Sequence, residues 1–381
     1  MKLAWAGIVA AGLVCLLGPV PAHGQTASQD KPLMAEEVFK NVQVLKGIPV
    51  DQFMDTMGFF SAALGYNCTN CHGEGVLGNW DKYADDVPLK RTARRMIQMV
   101  NRLNQNEFSG RRAVTCYSCH RGSGSPKVIP SLAEQYGEPP PDDPNEAELL
   151  PRPPANPTAE DILNRYILAL GGAQRLAGLT SFIAKGTYEG FDSYHGKVAV
   201  EVYAKAPEQR AVIVHTQNGD STTSSDGHNA WITGPDRPVA VLPLSGGDLD
   251  GVKLDANLAF PGGIKQALTQ WRAGFQASTI DDRDVSVTQG IAGGSRVKLF
   301  FDKESGLLVR LVRYTSTAVG SIPTQIDYSD YRDVAGVKMP FQWKVTWTDG
   351  QSTFRLTDVQ PNVAVEASRF GKPQVPVKRT P

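Results

Sequence analysis

With 381 residues, the chain is long enough for two domains of ordinary size, each burying its own core. Its 39 basic and 39 acidic residues cancel to a formal net charge of zero, which excludes a global field that would recruit nucleic acid or an anionic membrane surface. Any charged docking must therefore be local.

Residues 1–24 read as a secretory signal: Lys2 supplies the positive start, Leu3 to Val20 the apolar run, and Ala22-His23-Gly24 a small-x-small cleavage site. An uncleaved membrane anchor is the alternative, opposed by the breaks at Gly18 and Pro19. Lipid modification of Cys15 is disfavoured, because no small residue directly precedes it. Cleavage removes Cys15 and leaves Cys68, Cys71, Cys116 and Cys119.

The mature chain opens on a predicted helix in which Phe53, Met57, Phe60 and Leu64 recur at spacings of four, three and four, ending near Gly65. Cys68-Thr-Asn-Cys71-His72 follows. The pattern then repeats: Pro88 opens a helix with Met96, Met99, Val100 and Leu103 on one stripe, and Cys116-Tyr-Ser-Cys119-His120 comes after the chain breaks at Ser109-Gly110. Both cysteine motifs match Cys-x-x-Cys-His, the attachment signature of c-type haem. Two thiols one helical turn apart can form thioethers to the two vinyl groups of one porphyrin, and the next residue presents imidazole to the iron. A redox dithiol, a disulfide or a zinc knuckle would leave His72 and His120 unexplained twice over. The expectation is two covalent haems, with His72 and His120 as proximal iron ligands.

The methionine stripe admits two readings, core filling or iron ligation. Low-spin c-type iron needs a sixth ligand, usually His or Met, and before the proline-rich stretch the mature chain has no histidine besides the two proximal ones. The basic residues Lys90, Arg91, Arg94, Arg95, Arg111 and Arg112 are likewise open between a solvated helix face, pairing with haem propionates and steering of an acidic redox partner.

From Val38 to Gly122 the chain resembles the cytochrome subunit of photosynthetic reaction centres and its non-photosynthetic relatives. The residues that carry the resemblance are Lys40-Asn-Val-Gln-Val-Leu-Lys-Gly-Ile-Pro49, Met57-Gly-Phe-Phe-Ser-Ala-Ala-Leu-Gly65 and Met99-Val-Asn-Arg-Leu-Asn104. Repeats of that family place a helix before each attachment motif, commonly with an axial methionine on it. The resemblance implies Met57, eleven residues before Cys68, as a distal ligand. Met99 fits the Met-Val-x-x-x-Asn signature but lies seventeen residues before Cys116, and this helix does not supply the ligand in every member. Members that feed a photosynthetic reaction centre typically carry four haems; this chain has two motifs and then a different domain.

Residues 138–157 form a proline-rich linker, expected to be extended and semi-rigid. Thr158-Ala-Glu-Asp161 supplies a capping-box-like start for a helix through Leu170, ended by Gly171-Gly172. Alternating and β-branched runs then predict strands at Ser181 to Tyr188, Lys197 to Ala204, Arg210 to Thr216, Arg296 to Phe301, Leu307 to Tyr314 and Val337 to Trp347. One helix is expected at Gly263 to Gly274. Strand order and the opening helix resemble the half-barrels of bacterial lipoprotein carriers, in which a curved sheet wraps around helices. That resemblance leaves a hydrophobic ligand and a plain structural or docking role both open. His195, His215 and His228 lack metal-like spacing, and no Gly-x-Ser-x-Gly elbow or phosphate loop is present.

The sequence thus predicts two domains: a mainly α dihaem cytochrome c domain over 25–137 and a mostly antiparallel β, half-barrel-like α+β domain over 158–381. The expected function is periplasmic electron transfer between redox protein partners, with membrane association open and no nucleic-acid partner. The alternatives are a peroxidase-type dihaem enzyme with one open iron and a haem-tethered lipid- or partner-binding module.

Overall fold

The computed structural model describes residues 30–138, 143–275 and 279–377; the expected signal segment lies outside them. A helical region comes first. It holds α1 (Ala35–Val38), α2 (Val50–Leu64), α3 (Cys68–His72), α4 (Pro88–Glu107), α5 (Cys116–His120) and α6 (Leu132–Tyr136). Helix α2 stops where Gly65 turns left-handed at φ 65°, a conformation that costs glycine little. Helix α4 starts on Pro88, whose missing N–H would be unpaired there in any case.

The remainder is one antiparallel sheet with helices α7 (Ala159–Ala169), α8 (Ala173–Gly178), α9 (Gly246–Leu258) and α10 (Ile264–Ala267). Its strands are β1 (Leu150–Pro151), β2 (Ser181–Gly190), β3 (Lys197–Lys205), β4 (Gln209–Thr216), β5 (Gly219–Ser225), β6 (Ala230–Thr233), β7 (Val241–Pro243), β8 (Thr269–Phe275), β9 (Thr279–Ile280), β10 (Arg283–Ala292), β11 (Ser295–Asp302), β12 (Leu308–Ser316), β13 (Ser321–Val334), β14 (Val337–Trp347) and β15 (Gly350–Pro361). They lie in the order β1-β8-β10-β11-β12-β13-β14-β15-β2-β3-β4-β5-β6-β7, with β9 beside β10. The path is largely a meander, joined out of chain order at β1–β8 and β15–β2, and its end strands β1 and β7 do not pair with each other, so the sheet is a half-barrel and not a closed one.

One core joins the sheet to its helices. Ile162, Leu163 and Tyr166 of α7, Leu170 just after it, Leu176 of α8 and Leu254 of α9 meet Phe182, Val202, Leu299, Leu311 and Leu356 of the strands. The helices thus fill the concave face of the sheet with their own side chains.

Three expectations change. The helix expected at Gly263 to Gly274 is real only as the four residues of α10; Thr269 onward is strand β8, whose Arg272 and Ala273 pair with Gln289 and Thr288. Partner strands override local helical spacing there. Helix α9 was not anticipated, because Gly246, Gly247 and Gly251 lower its helical propensity. The stretch before α7 is also more than a spacer: β1 pairs with β8, Asn145 Nδ2 donates to Gln325 Oε1 at 2.7 Å, and buried Lys298 donates to the carbonyls of Asn145 and Ala147 at 2.8 and 2.6 Å.

The helical region is docked on one end of the sheet. Val319 in the β12–β13 turn and Ile322 at the start of β13 share a buried cluster with Leu45, Phe59, Ala63 and Ile97. Arg112 Nη1 donates to the carbonyl of Thr317 at 2.6 Å. Asp51 of α2 accepts from the backbone N–H of Ser245 at 2.5 Å and from its hydroxyl at 2.8 Å, satisfying the residue that caps α9. Beside it, a cavity of about 210 Å³ is lined by Asp51, Asp55 and Asp248. Burial, and then the charge of Asp248, pushes Asp55 up to about 9, while burial pushes Asp248 up to about 6, partly opposed by Arg313.

Candidate functional site

Each Cys-x-x-Cys-His motif forms one helical turn of its own, and the intervening residues explain why. In α3, Asn67 Oδ1 accepts from the N–H of Asn70 at 3.2 Å, and the Asn67 N–H donates to Asn70 Oδ1 at 2.9 Å. In α5 the N–H of Thr115 donates to Ser118 Oγ at 3.1 Å. These reciprocal caps satisfy N-terminal backbone groups and fix the turn from which both thiols of a motif project. The sequence expectation had assigned the intervening residues no such part. The helical period and a polar residue three places after Asn67 or Thr115 would have revealed it.

Both histidines are held by the same device. His72 Nδ1 lies 3.3 Å from the carbonyl oxygen of Tyr83, and His120 Nδ1 lies 2.9 Å from that of Ser123. A carbonyl can only accept, so each Nδ1 carries a proton, and in the neutral ring that leaves the Nε2 lone pair to a metal. Burial, and then the nearby Lys90 charge, lowers the pKa of His72 and favours its neutral form. Tyr83 is fixed in turn: Lys90 Nζ donates to its carbonyl at 2.7 Å, and its ring lies 4.8 Å from the imidazole of His72.

The surroundings of the thiols favour the protonated form over the thiolate. None of Cys68, Cys71, Cys116 and Cys119 is in a disulfide. Burial pushes the Cys68, Cys71 and Cys116 thiols up, whereas an attacking redox thiol is lowered. Among the described residues no three His, Cys, Asp or Glu side chains converge as a metal-binding group, so the two cysteine pairs do not assemble a zinc knuckle.

The repeats pack crosswise. Helix α2 lies against α5, the motif of the other repeat, and α4 lies against α3. The close approach of Gly65 to Gly122 permits this: a methyl on Gly65 would stand 2.3 Å from the Gly122 carbonyl oxygen, and the Gly122 N–H donates to Ala63 O at 3.0 Å. Met57 and Cys116 therefore pack on the same apolar cluster. Met99 is on α4 and is 44% exposed, with Met96 and Leu103 also open at 36% and 37%. The stripe read as either core filling or iron ligation thus faces outward, and Ile97 with Asn104 turns inward. An unpartnered apolar stripe of this breadth beside two attachment turns fits a porphyrin, which would cover it.

Asn104 is a second residue whose role the sequence left unassigned. Its side chain accepts from the N–H groups of Ala113 and Val114, both at 3.0 Å, and donates to Val114 O at 2.8 Å. It thereby folds the segment leading into Cys116. The basic run is also largely committed within the molecule: Arg91 donates to Asp86 O at 2.7 Å, Arg94 pairs with the Asp86 carboxylate, and Arg112 holds the β12–β13 turn.

With this geometry in place, comparisons with known proteins can be stated. Residues 17–145 match the family described as photosynthetic reaction centre cytochrome C subunit. Similar curated proteins are the photosynthetic reaction center cytochrome c subunits of Thermochromatium tepidum, 36% identical over 111 residues, and of Roseobacter denitrificans, 35% identical over 103. These cover 28% and 25% of this chain and 26% and 27% of the relatives, so the chain spans about a quarter of the length of the curated proteins it matches. The sheet region is similar to a LolA superfamily protein from Nitrosomonas europaea, with TM-score 0.37, 15% identity, and coverage of 57% of this chain and 99% of that one. A putative outer membrane lipoprotein-sorting protein domain from Vibrio parahaemolyticus gives TM-score 0.38 and 12% identity, covering 56% and 95%. No described helix is long and apolar enough to cross a membrane.

Proposed function

We propose that this chain is a dihaem c-type cytochrome, exported to the periplasm, that passes electrons between redox protein partners. The observation that carries the proposal is the duplicated attachment turn, in which each imidazole has Nδ1 bonded to a carbonyl and Nε2 left to coordinate. Cys68 with Cys71, and Cys116 with Cys119, supply the thioether sulfurs, and His72 and His120 the proximal nitrogens. Met57 and Met99 are the distal ligands of the two irons. Bound haem supplies a one-electron ferric–ferrous couple, and thioether ligation raises its potential relative to bis-histidine.

The chain's own part is to hold the imidazoles oriented, to provide four thiols, and to cover the group with the apolar faces of α2 and α4. Filling both axial positions leaves no iron site for substrate, which separates the proposal from a peroxidase-type enzyme. The sheet region is assigned a structural part, and its role is taken up below.

The test is carbon monoxide added to the reduced full-length protein. An unchanged spectrum, together with a ferric methionine charge-transfer band, is expected. Carbon monoxide binding to half the haem would favour the enzyme alternative and overturn the electron-carrier reading.

A further inference from the structure

The segment of α2 that carries Met57 is gripped by the sheet region. Gly58 and Phe59, the next two residues, are buried against two neighbouring hairpin turns at one end of the sheet. At Gly58 an added Cβ would stand 2.9 Å from Thr348 Oγ1 in the β14–β15 turn. At Gly320, in the β12–β13 turn, an added Cβ would stand 2.3 Å from Cε2 of the Phe59 ring. Neither glycine has a positive φ, so close packing and not backbone conformation limits the side chain at both places.

The β12–β13 turn is itself fixed. Thr317 Oγ1 accepts from the N–H groups of Val319 at 3.2 Å and Gly320 at 3.1 Å, and Arg112 donates to the Thr317 carbonyl at 2.6 Å. Val319, 6% exposed, packs in the same cluster as Met57 and Cys116. A rigid turn, a ring in contact with it and the helix bearing Met57 therefore form one continuous packed path.

We propose that the two hairpin turns act as a clamp on α2 that positions Met57 toward its iron, so that the sheet region sets the redox potential of a haem it does not bind. This rests on the cytochrome reading above. Phe59, Thr348 and Gly320 are positioning residues: they act through the helix and touch no reacting atom. Because close-packed contacts transmit displacement, an intruding methyl on the turn moves the Phe59 ring, and the adjacent turn of α2 moves with it.

The experiment compares full-length holoprotein with Gly320→Ala, Gly58→Ala and the control Gly294→Ala, whose new methyl would meet nothing within 4 Å. Haem is counted by pyridine haemochrome, and both midpoints are measured by spectropotentiometry alongside the ferric methionine band. Gly320→Ala and Gly58→Ala are expected to keep two haems, weaken the methionine band and lower one midpoint by about tenfold in equilibrium constant, which is 59 mV for one electron. Gly294→Ala should match the parent. Gly58→Ala meets the Thr348 hydroxyl at 2.9 Å and the Asp349 carboxylate at 3.2 Å, both side-chain ends, and is the milder change, so it carries the test if Gly320→Ala does not accumulate. Unchanged midpoints in the folded variants, equal shifts of both haems, or the same shift in Gly294→Ala would overturn the clamp. Fewer than two haems in the parent would instead overturn the cytochrome reading.

Discussion

The helical region and the sheet region solve the burial problem in opposite ways. The sheet closes over α7, α8 and α9, and side chains such as Leu299, Leu311 and Phe301 are at most 2% exposed. The helical region has a small core around Phe59, Ala63 and Ile97, completed partly by Val319 and Ile322 of the sheet, while Met96, Met99 and Leu103 lie open. On the proposed reading, the open stripe of the helical region is the face that haem would cover, whereas the sheet fills its own concave face. The helical region's stability should follow haem attachment, whereas that of the sheet should not.

The strongest way to break this contrast is to remove one attachment pair. Replacing Cys68 and Cys71 together by Ser should halve covalent haem by pyridine haemochrome and lower the helical region's thermal stability, leaving the sheet's β signal in circular dichroism unchanged. Full haem retention would contradict the assignment of that motif. In the sheet, Leu311→Ala should cost about 2–5 kcal/mol of stability in denaturant titration, yet leave two haems per chain.

Within the haem sites, Met57→Ala should keep both haems attached and lower one midpoint by about 59 mV or more, tenfold for one electron. One iron should then bind carbon monoxide. Identical spectra and potentials would remove Met57 from the ligand set.

The interface itself should be pH-sensitive. Burial raises Asp55 and Asp248 above an ordinary carboxylate, so their protonated forms favour the docked state. Their contribution is present at acid pH and is lost as pH rises through about 6 and then about 9. Asp248→Asn should therefore raise the melting temperature at pH 8 by about 2–4 °C, as about 1 kcal/mol does in a domain of this size, and by less at pH 5, where the loss that begins near the ordinary value of 3.8 is only part complete. A larger gain at pH 5 than at pH 8 would reverse the sign and refute the account. The smallest effect is expected at His195, an exposed turn residue: His195→Gln should alter stability by no more than about 0.5 kcal/mol and leave haem content unchanged.

How far the sequence reached differs between the two regions in the same way. The attachment turns and the ends of their helices were legible, because Gly65 and Pro88 are local signals and cysteine spacing is a covalent requirement. The crossed packing of α2 on α5 was not, since it depends on two glycines distant in sequence meeting at Gly65 and Gly122. The outward face of α4 was open for a related reason: an apolar stripe looks the same whether protein or a prosthetic group is to cover it. In the sheet, alternation identified the strands with long runs, whereas β8 was hidden within a helix-like stretch that only pairing with β10 resolves.

The most direct test of the central claim is intact-mass measurement and pyridine haemochrome on the full-length chain, produced in a host with c-type maturation machinery, with thiol alkylation under denaturing conditions. The account predicts two covalent haems per chain, none of Cys68, Cys71, Cys116 and Cys119 open to alkylation, and a mature start after the expected signal. One haem or none, or a free thiol in either motif, would contradict it.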